Sequence, residues 1–433
     1  WVARMPANRR YFVMAALPDA TEQSLSLLAR HAFVRYADTQ VAWHVDSTQQ
    51  QVITRYRIRP EVLEGTESQA LQALYPHHWH ANPHLGQPLG AAYDSVRGPL
   101  RLYAGNEFET RLTHRGFVPW WPALAPHPEL PLLQELIATD VREARRMMLQ
   151  IGKGTYWQGK GLQRTTKLMD VVQWHGTTEQ QQRLLEMLKT RVQEWFSGQD
   201  RQRYFHWDRS LGTVLGYPEE YFSIEQMNDH HFHYGYWIRA MAEIALRDPD
   251  WANPSRWGGM VSWLIRDIAT AERGRADFPF LRNFDVYEGH SWASGVAHGP
   301  LGNNQESSSE AINAWVGLIL WGEIQGDTAL RDLGIYLYNT EIESIRHYWF
   351  DVHGLVFPPE YLHPETSMVF GAGYKHNTWW TDEPRQIKGI NLLPITTAST
   401  YLGLDPLHTQ RSLATLPNDT AVYESRGKRA NPR

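Results

Sequence analysis

The 433-residue chain has no cysteine. Disulfides, thiolate nucleophiles and cysteine-held metal sites are excluded; the compartment is not, because exported proteins often lack disulfides. Long runs of one charge are also missing. Lysine and arginine number 42 against 47 aspartates and glutamates, a net charge of −5 spread along the chain. That balance argues against nucleic acid and against a membrane surface as partners. No continuous apolar run reaches the ~18 residues that a spanning helix needs. No phosphate-binding glycine loop appears. The nearest approach to a GxSxG nucleophile elbow, starting at Gly289-His-Ser-Trp, has Ala293 where the last glycine belongs.

Aromatic residues are abundant: 19 Trp, 20 Tyr and 14 Phe. A tryptophan offers a flat apolar face and one N–H donor. Sugar rings have apolar faces and polar rims, so such side chains suit a carbohydrate cleft as readily as a core.

Two or three domains are expected from the length. Residues 1–120 read mainly as strand. Tyr11–Leu17 is a short apolar run ended by Pro18. Val41, Trp43 and Val45 alternate with polar neighbours, as do Val52, Thr54, Tyr56 and Ile58, which predicts a hairpin. Ala70–Tyr75 reads as a short helix, and Leu100–Ala104 with Phe108–Leu112 as a second strand pair around Gly105-Asn106. Pro119, Pro122, Pro126, Pro128 and Pro131 mark a domain crossing. Beyond it the period turns helical, with helices predicted over 132–150, 160–174, 178–197, 229–247, 258–272, 306–323 and 328–349, and another after Asn391. A run of helices with substantial loops suggests pairs closing into an α/α barrel.

Four constellations carry possible chemistry. In Asn303–Trp315 a helix is expected to start at Asn303 or Asn304, with Glu306, Glu310 and Asn313 on one face and Ala311, Ala314, Trp315 and Leu318 on the core face. Ser307–Ser309 puts no bulk between the two acids, as close approach of a ligand requires; the bland alternative is a solvated acidic face. In Asn228–Trp237, Asp229 and His233 share a helical face, Asp229 as a general acid and His233 touching substrate or tuning it. Alternatively, Asp229 only complements the helix dipole. Metal binding by His230, His231 and His233 is the competing idea, disfavoured because neighbouring histidines point about 100° apart on a helix and no second histidine lies at i+4; no metal and no cofactor is expected. The loop Asn283–Gly295 gathers Asp285, His290 and Trp292, and Tyr156 precedes Lys160 just before a helix. Carboxylates facing each other across a sugar ring are what glycoside hydrolysis needs.

The segments Asn228–Tyr236, Gly289–Gly295 and Asn304–Trp315 resemble glycoside hydrolase family 81, the endo-β-1,3-glucanases or laminarinases. Weaker likenesses at Gly65–Ser68, Ala73–His77, Ser95–Gly98 and Tyr156–Lys160 extend over most of the chain. The resemblance implies a multidomain protein: an (α/α)6 barrel catalytic domain (126–433), a small β-rich α/β linking domain (36–125) and, in 1–35, the end of a β-sandwich, with the chain cut at both ends and any signal peptide upstream of residue 1. It also implies an extracellular inverting hydrolase of β-1,3-glucan, with Asp229 as acid, Glu310 as base, Glu306 assisting and His233 beside the acid. Tyr156, Lys160, Asp285, His290, Trp292 and Asn304 would line the glucan groove. The competing readings are a helical-barrel hydrolase of another glucan and a non-catalytic carbohydrate-binding protein.

Overall fold

The computed structural model describes residues 4–8, 10–123, 128–297, 299–381 and 383–416. Pro126 of the proline cluster, the 125/126 boundary and the Tyr423–Pro432 segment lie outside the described residues. Tyr11–Leu17 is irregular and not part of a sheet, with Phe12 and Met14 exposed. Helix α1 (Glu22–His31) follows, capped by Thr21, whose hydroxyl accepts the Ser24 N–H at 3.2 Å.

Strands β1 (Val34–Asp46) and β2 (Gln51–Val62) form the expected hairpin, with Trp43 opposite Thr54 and Val45 opposite Val52. Period-2 alternation places Val52, Thr54 and Tyr56 inward and Arg55 and Arg57 outward.

Two local expectations fail. The Ala70–Tyr75 stretch is strand β3 (Leu71–Leu74), and the helix, α2 (Pro76–Trp79), comes after it. So short an apolar run carries no period that separates strand from helix. Strands β4 (Arg101–Ala104) and β5 (Glu107–Thr113) do not pair with each other: β4 pairs with β3, and β5 completes the sheet β1-β2-β5. Asn106 sends the chain from one sheet to the other. Its side-chain oxygen accepts the Ala70 N–H at 2.9 Å, and its carbonyl accepts the Ile58 N–H at 2.8 Å. Both bonds are long-range, so the local sequence does not display them.

The helical part comprises α3 (Leu130–Gln150), α4 (Thr155–His175) and α5 (Thr178–Ser197), the hairpin β6 (Tyr204–Asp208) with β7 (Thr213–Tyr217), then α6 (His230–Arg247) and α7 (Gly259–Ala269). The short pair β8 (Phe284–Asp285) and β9 (His290–Ser291) leads to β10 (Asn304–Gln305), α8 (Ser308–Gln325) and α9 (Thr328–Tyr348). Strands β11 (Met368–Phe370) and β12 (Gly373–Lys375) precede α10 (Pro384–Leu392) and α11 (Pro406–Ala414). Helix α6 is buried on every face from His230 to Ala245, and α8 from Ser308 to Ile319, whereas α3, α5 and α7 each bury one stripe. Such inner and outer helices in chain order are consistent with a helical barrel. Helix α9 is also buried, because the β1-β2-β5 sheet covers it: Trp43 stacks on Tyr336 with ring centroids 4.6 Å apart.

Close approach of α6 and α8 requires glycine. A Cβ on Gly235 would lie 2.6 Å from the Cβ of Ala314. Because these helices touch backbone to backbone there, their N-terminal ends, and the acids those ends carry, are brought together.

Candidate active site

Asp229 is the N-cap of α6, in the left-handed region at φ 58°. Its N–H donates to the Ala293 carbonyl at 2.7 Å, and the Asn228 side-chain N–H₂ donates to its Oδ2 at 2.8 Å. Its carboxylate makes no capping bond with its own helix. A non-glycine residue held at positive φ stores strain, of the kind found at functional sites. Met227, Phe222 and Tyr221 in the same loop also have positive φ.

The helix expected from residue 303 or 304 begins later. Asn304 sits in β10, opposite Phe370 of β11, and Ser307 is the N-cap of α8. Glu306 therefore precedes the helix and does not share a helical face with Glu310. Ser307, Ser308 and Ser309 face protein: Ser307 and Ser309 donate to the Ile390 carbonyl at 3.3 and 2.9 Å, and Ser308 to the Asn391 side chain at 2.9 Å. They seat the start of α8 on α10, so their small size serves packing. Asn313 exchanges two hydrogen bonds with Gln163 of α4, at 2.8 and 3.0 Å, and is likewise structural.

Glu310 lies in the first turn of α8. Its Oε1 accepts the Tyr156 hydroxyl at 2.9 Å and the Tyr236 hydroxyl at 2.5 Å, with the Lys160 ammonium at 3.8 Å. Lys160 also donates to the Tyr156 hydroxyl at 3.0 Å. Tyr156 and Lys160 lie inside α4, which starts earlier than expected because Glu220 caps it from another loop, accepting the Tyr156 and Trp157 N–H groups at 2.9 and 3.1 Å. Burial, then the charge of Glu310, pushes both phenols up, so both remain O–H donors.

The electrostatics separate the acids. Burial, then Glu306 and Glu310, holds the Asp229 carboxyl well above the usual range. The helix dipole opposes this but is worth only ~0.3–1 kcal/mol. Glu306 is pushed up to about 8 by burial and then by Glu310; its Oε2 is enclosed without a hydrogen-bond partner among the described residues. Asp229 and Glu310 keep 9% and 7% of their surface exposed. The arrangement therefore favours the protonated forms of Asp229 and Glu306, and supplies the Glu310 carboxyl group with two hydroxyl donors and a nearby ammonium.

His233 is fully buried, with Nδ1 2.8 Å from the Thr155 hydroxyl and its ring 5.2 Å from that of Tyr156. Burial, then His230 and His231, drives it to the neutral form, so it supports Tyr156 from below and adds no charge beside Asp229. The other two histidines turn elsewhere: His230 bridges Asp267 and the Ser223 carbonyl, both at 2.7 Å, and His231 faces Gln305 at 3.3 Å.

The remaining sequence-predicted residues form a different neighbourhood. Asp285 accepts the N–H groups of Tyr287 and Glu288 at 2.9 and 3.0 Å and shapes a turn. His290 is fully buried against Trp292 and Trp349, with ring centroids at 4.6 and 5.1 Å. Asn304 links this group to the acids through backbone: its carbonyl accepts the Ala293 N–H at 2.7 Å. Tyr236 and Glu220 were not singled out from sequence. Tyr236 stands seven residues after Asp229, two turns along the same face, which is a readable signal. Glu220 had none.

The family model for the glycosyl hydrolase family 81 C-terminal domain matches residues 127–410. A glucan endo-1,3-beta-D-glucosidase of Acetivibrio thermocellus is 42% identical over 94% of this chain and 52% of its own length. One from Thermobifida fusca is 38% identical over 92% of this chain and 52% of its own. A solved glycoside hydrolase family 81 structure from Clostridium thermocellum, a mutant form, superimposes with a TM-score of 0.89 at 41% identity, covering 95% of this chain and 57% of that one. The chain spans about half the length of the curated relatives it matches.

Proposed function

This chain belongs to glycosyl hydrolase family 81, and from that premise we propose that it cleaves internal (1→3)-β-D-glucosidic linkages of β-1,3-glucan with inversion. The names of its relatives support the bond and the substrate. The observation that carries the mechanism is the meeting of Asp229, Glu306 and Glu310 at two helix starts, in surroundings that raise two of the carboxyls and supply donors to the third.

Asp229 gives its proton to the glycosidic oxygen as the bond to the anomeric carbon breaks. Glu310 takes a proton from the water that attacks the opposite face of the sugar. Protonated Glu306 donates a hydrogen bond that holds this water or shares the charge of Glu310. Tyr156, Tyr236 and Lys160 keep the Glu310 carboxylate aimed. Inversion requires room for one water, a separation of about 6.5–9.5 Å between the acid and base carboxyls. In the same reading the helices from residue 126 onward belong to an (α/α)6 barrel, residues 36–125 form the linking domain, and the substrate is met outside the cell. No helix among the described residues is long and apolar enough to cross a membrane.

Reducing-sugar release from laminarin, set against carboxymethyl-cellulose, tests the substrate: release from laminarin alone is expected. Asp229→Asn tests the acid. It should lower turnover by about 10²–10⁴-fold while retaining laminarin binding. Unchanged turnover in that variant rules out the assignment.

A further inference from the structure

Away from the acids, three histidines from three segments converge. His80 follows α2, His347 lies in the last turn of α9, and His353 sits in the turn beyond it. One ring nitrogen from each lies within 4.8 Å of the other two. His347 is buried, His353 half-buried and His80 exposed.

The three rings pack on one another, with centroids 4.1 Å apart for His80 and His353, 4.8 Å for His347 and His353 and 5.4 Å for His80 and His347, and their polar atoms are unevenly partnered. His347 Nδ1 lies 2.9 Å from the Glu343 carbonyl oxygen, with Glu343 Oε1 at 3.5 Å. That partner fixes the Nδ1–H tautomer and leaves Nε2 with a bare lone pair. Among the described residues Nε2 has no partner, and neither has His353 Nε2, although both atoms are enclosed. A buried acceptor that faces no donor, beside a second enclosed and unpartnered ring nitrogen, calls for a partner from outside the protein. A carbonyl or carboxylate behind the ligating ring is also the usual outer arrangement of a metal-bound histidine. The turn bearing His353 is rigid: Asp351 accepts the N–H groups of Leu355, Val356 and Phe357 at 2.7, 3.1 and 2.9 Å.

We propose that His80, His347 and His353 bind one divalent transition-metal ion of the zinc class, with a fourth position open to water. Three imidazoles and no thiolate or carboxylate select for zinc, copper or nickel over magnesium and calcium. Ring nitrogens around a tetrahedral zinc stand about 3.4 Å apart, given Zn–N bonds of about 2.0–2.1 Å. The exposed His80 ring supplies the rotation required, turning its nitrogen toward the other two and off its present contact with the His353 ring. The ion joins the β-rich part, through His80, to α9, and so acts as a staple between the two parts of the chain.

The test uses the full 433-residue chain, freed of metal with a chelator and titrated with zinc chloride alone in a calorimeter. One zinc per chain is expected, with a rise in melting temperature that EDTA reverses. His80→Ala, at an exposed position, should weaken binding by at least about tenfold and abolish the thermal shift. His353→Ala should do the same, and His206→Ala, an exposed control, should do neither. Absence of saturable binding overturns the proposal. So does zinc uptake that His80→Ala and His353→Ala leave unchanged, because the ion then sits on other histidines.

Discussion

Two neighbourhoods of this molecule carry the same vocabulary of Asp, Glu, His, Tyr and Trp and use it in opposite ways. Around Glu288 the acids face an arginine, a phenol and backbone N–H groups. Arg97 pairs with Glu288 at 3.2 Å, the Tyr75 hydroxyl donates to it at 2.9 Å, and Asp285 is occupied by two backbone N–H groups. Around Glu310 three acids gather at two helix starts, and one ammonium lies 3.8 Å from the third. The first neighbourhood stabilises the join between the β-rich part and the helices. The second crowds three carboxyl groups, which raises Asp229 and Glu306, and that imbalance is what the proposed acid–base pairing draws on. Composition does not distinguish these neighbourhoods; the distribution of partners does.

Each of the following substitutions breaks or sharpens that contrast, from the largest effect down. Glu310→Gln removes the proposed base and keeps the shape; turnover of laminarin should fall by about 10²–10⁴-fold with the melting temperature unchanged or raised. Tyr236→Phe deletes one donor to the carboxylate. A hydrogen bond to a charged group is worth about 1.5–3 kcal/mol, so kcat should drop by about 10–100-fold with little change in KM. Asp285→Ala belongs to the other neighbourhood: it should cost about 1–3 kcal/mol in denaturant unfolding, through two orphaned N–H groups, and leave kcat alone. A large kcat effect without destabilisation there would put Asp285 in the substrate groove.

Glu306→Gln gives the smallest effect and reads the pH. The Glu306 carboxyl rises from 4.5 to about 8 in the folded chain. Its proton is held more tightly folded than unfolded, so the associated stability is full below about pH 4.5 and is lost as pH rises through about 8. The variant should flatten the decline in melting temperature between those two values, and identical pH curves for both proteins would mean that Glu306 does not hold the proton.

Much of this was legible beforehand, for identifiable reasons. The Val41–Ile58 hairpin and the helices α3, α5, α6 and α9 follow from sustained periodicity. Asp229 and Glu310 stand out because each sits at the start of a helix with a signature around it. What was misread depended on distant partners. Asn106 switches sheets through Ala70 and Ile58, and Glu220 caps α4 from another loop. Ser307–Ser309 looked like space for a ligand because α10, which they contact, lies about 80 residues onward. Glu306 and Glu310 at i and i+4 implied one helical face; Ser307, not Asn303 or Asn304, turned out to begin the helix. The His80 cluster left no signal, since His80 is separated from His347 and His353 by more than 260 residues of chain.

The stereochemistry of the first turnover tests the acid–base pairing most directly. Proton NMR of laminarin in the first minutes of digestion reads the anomer released before mutarotation. An Asp229 acid and a Glu310 base acting through one water should yield the α-anomer first. Initial release of the β-anomer would contradict the pairing, because retention requires a carboxylate to attack the sugar itself.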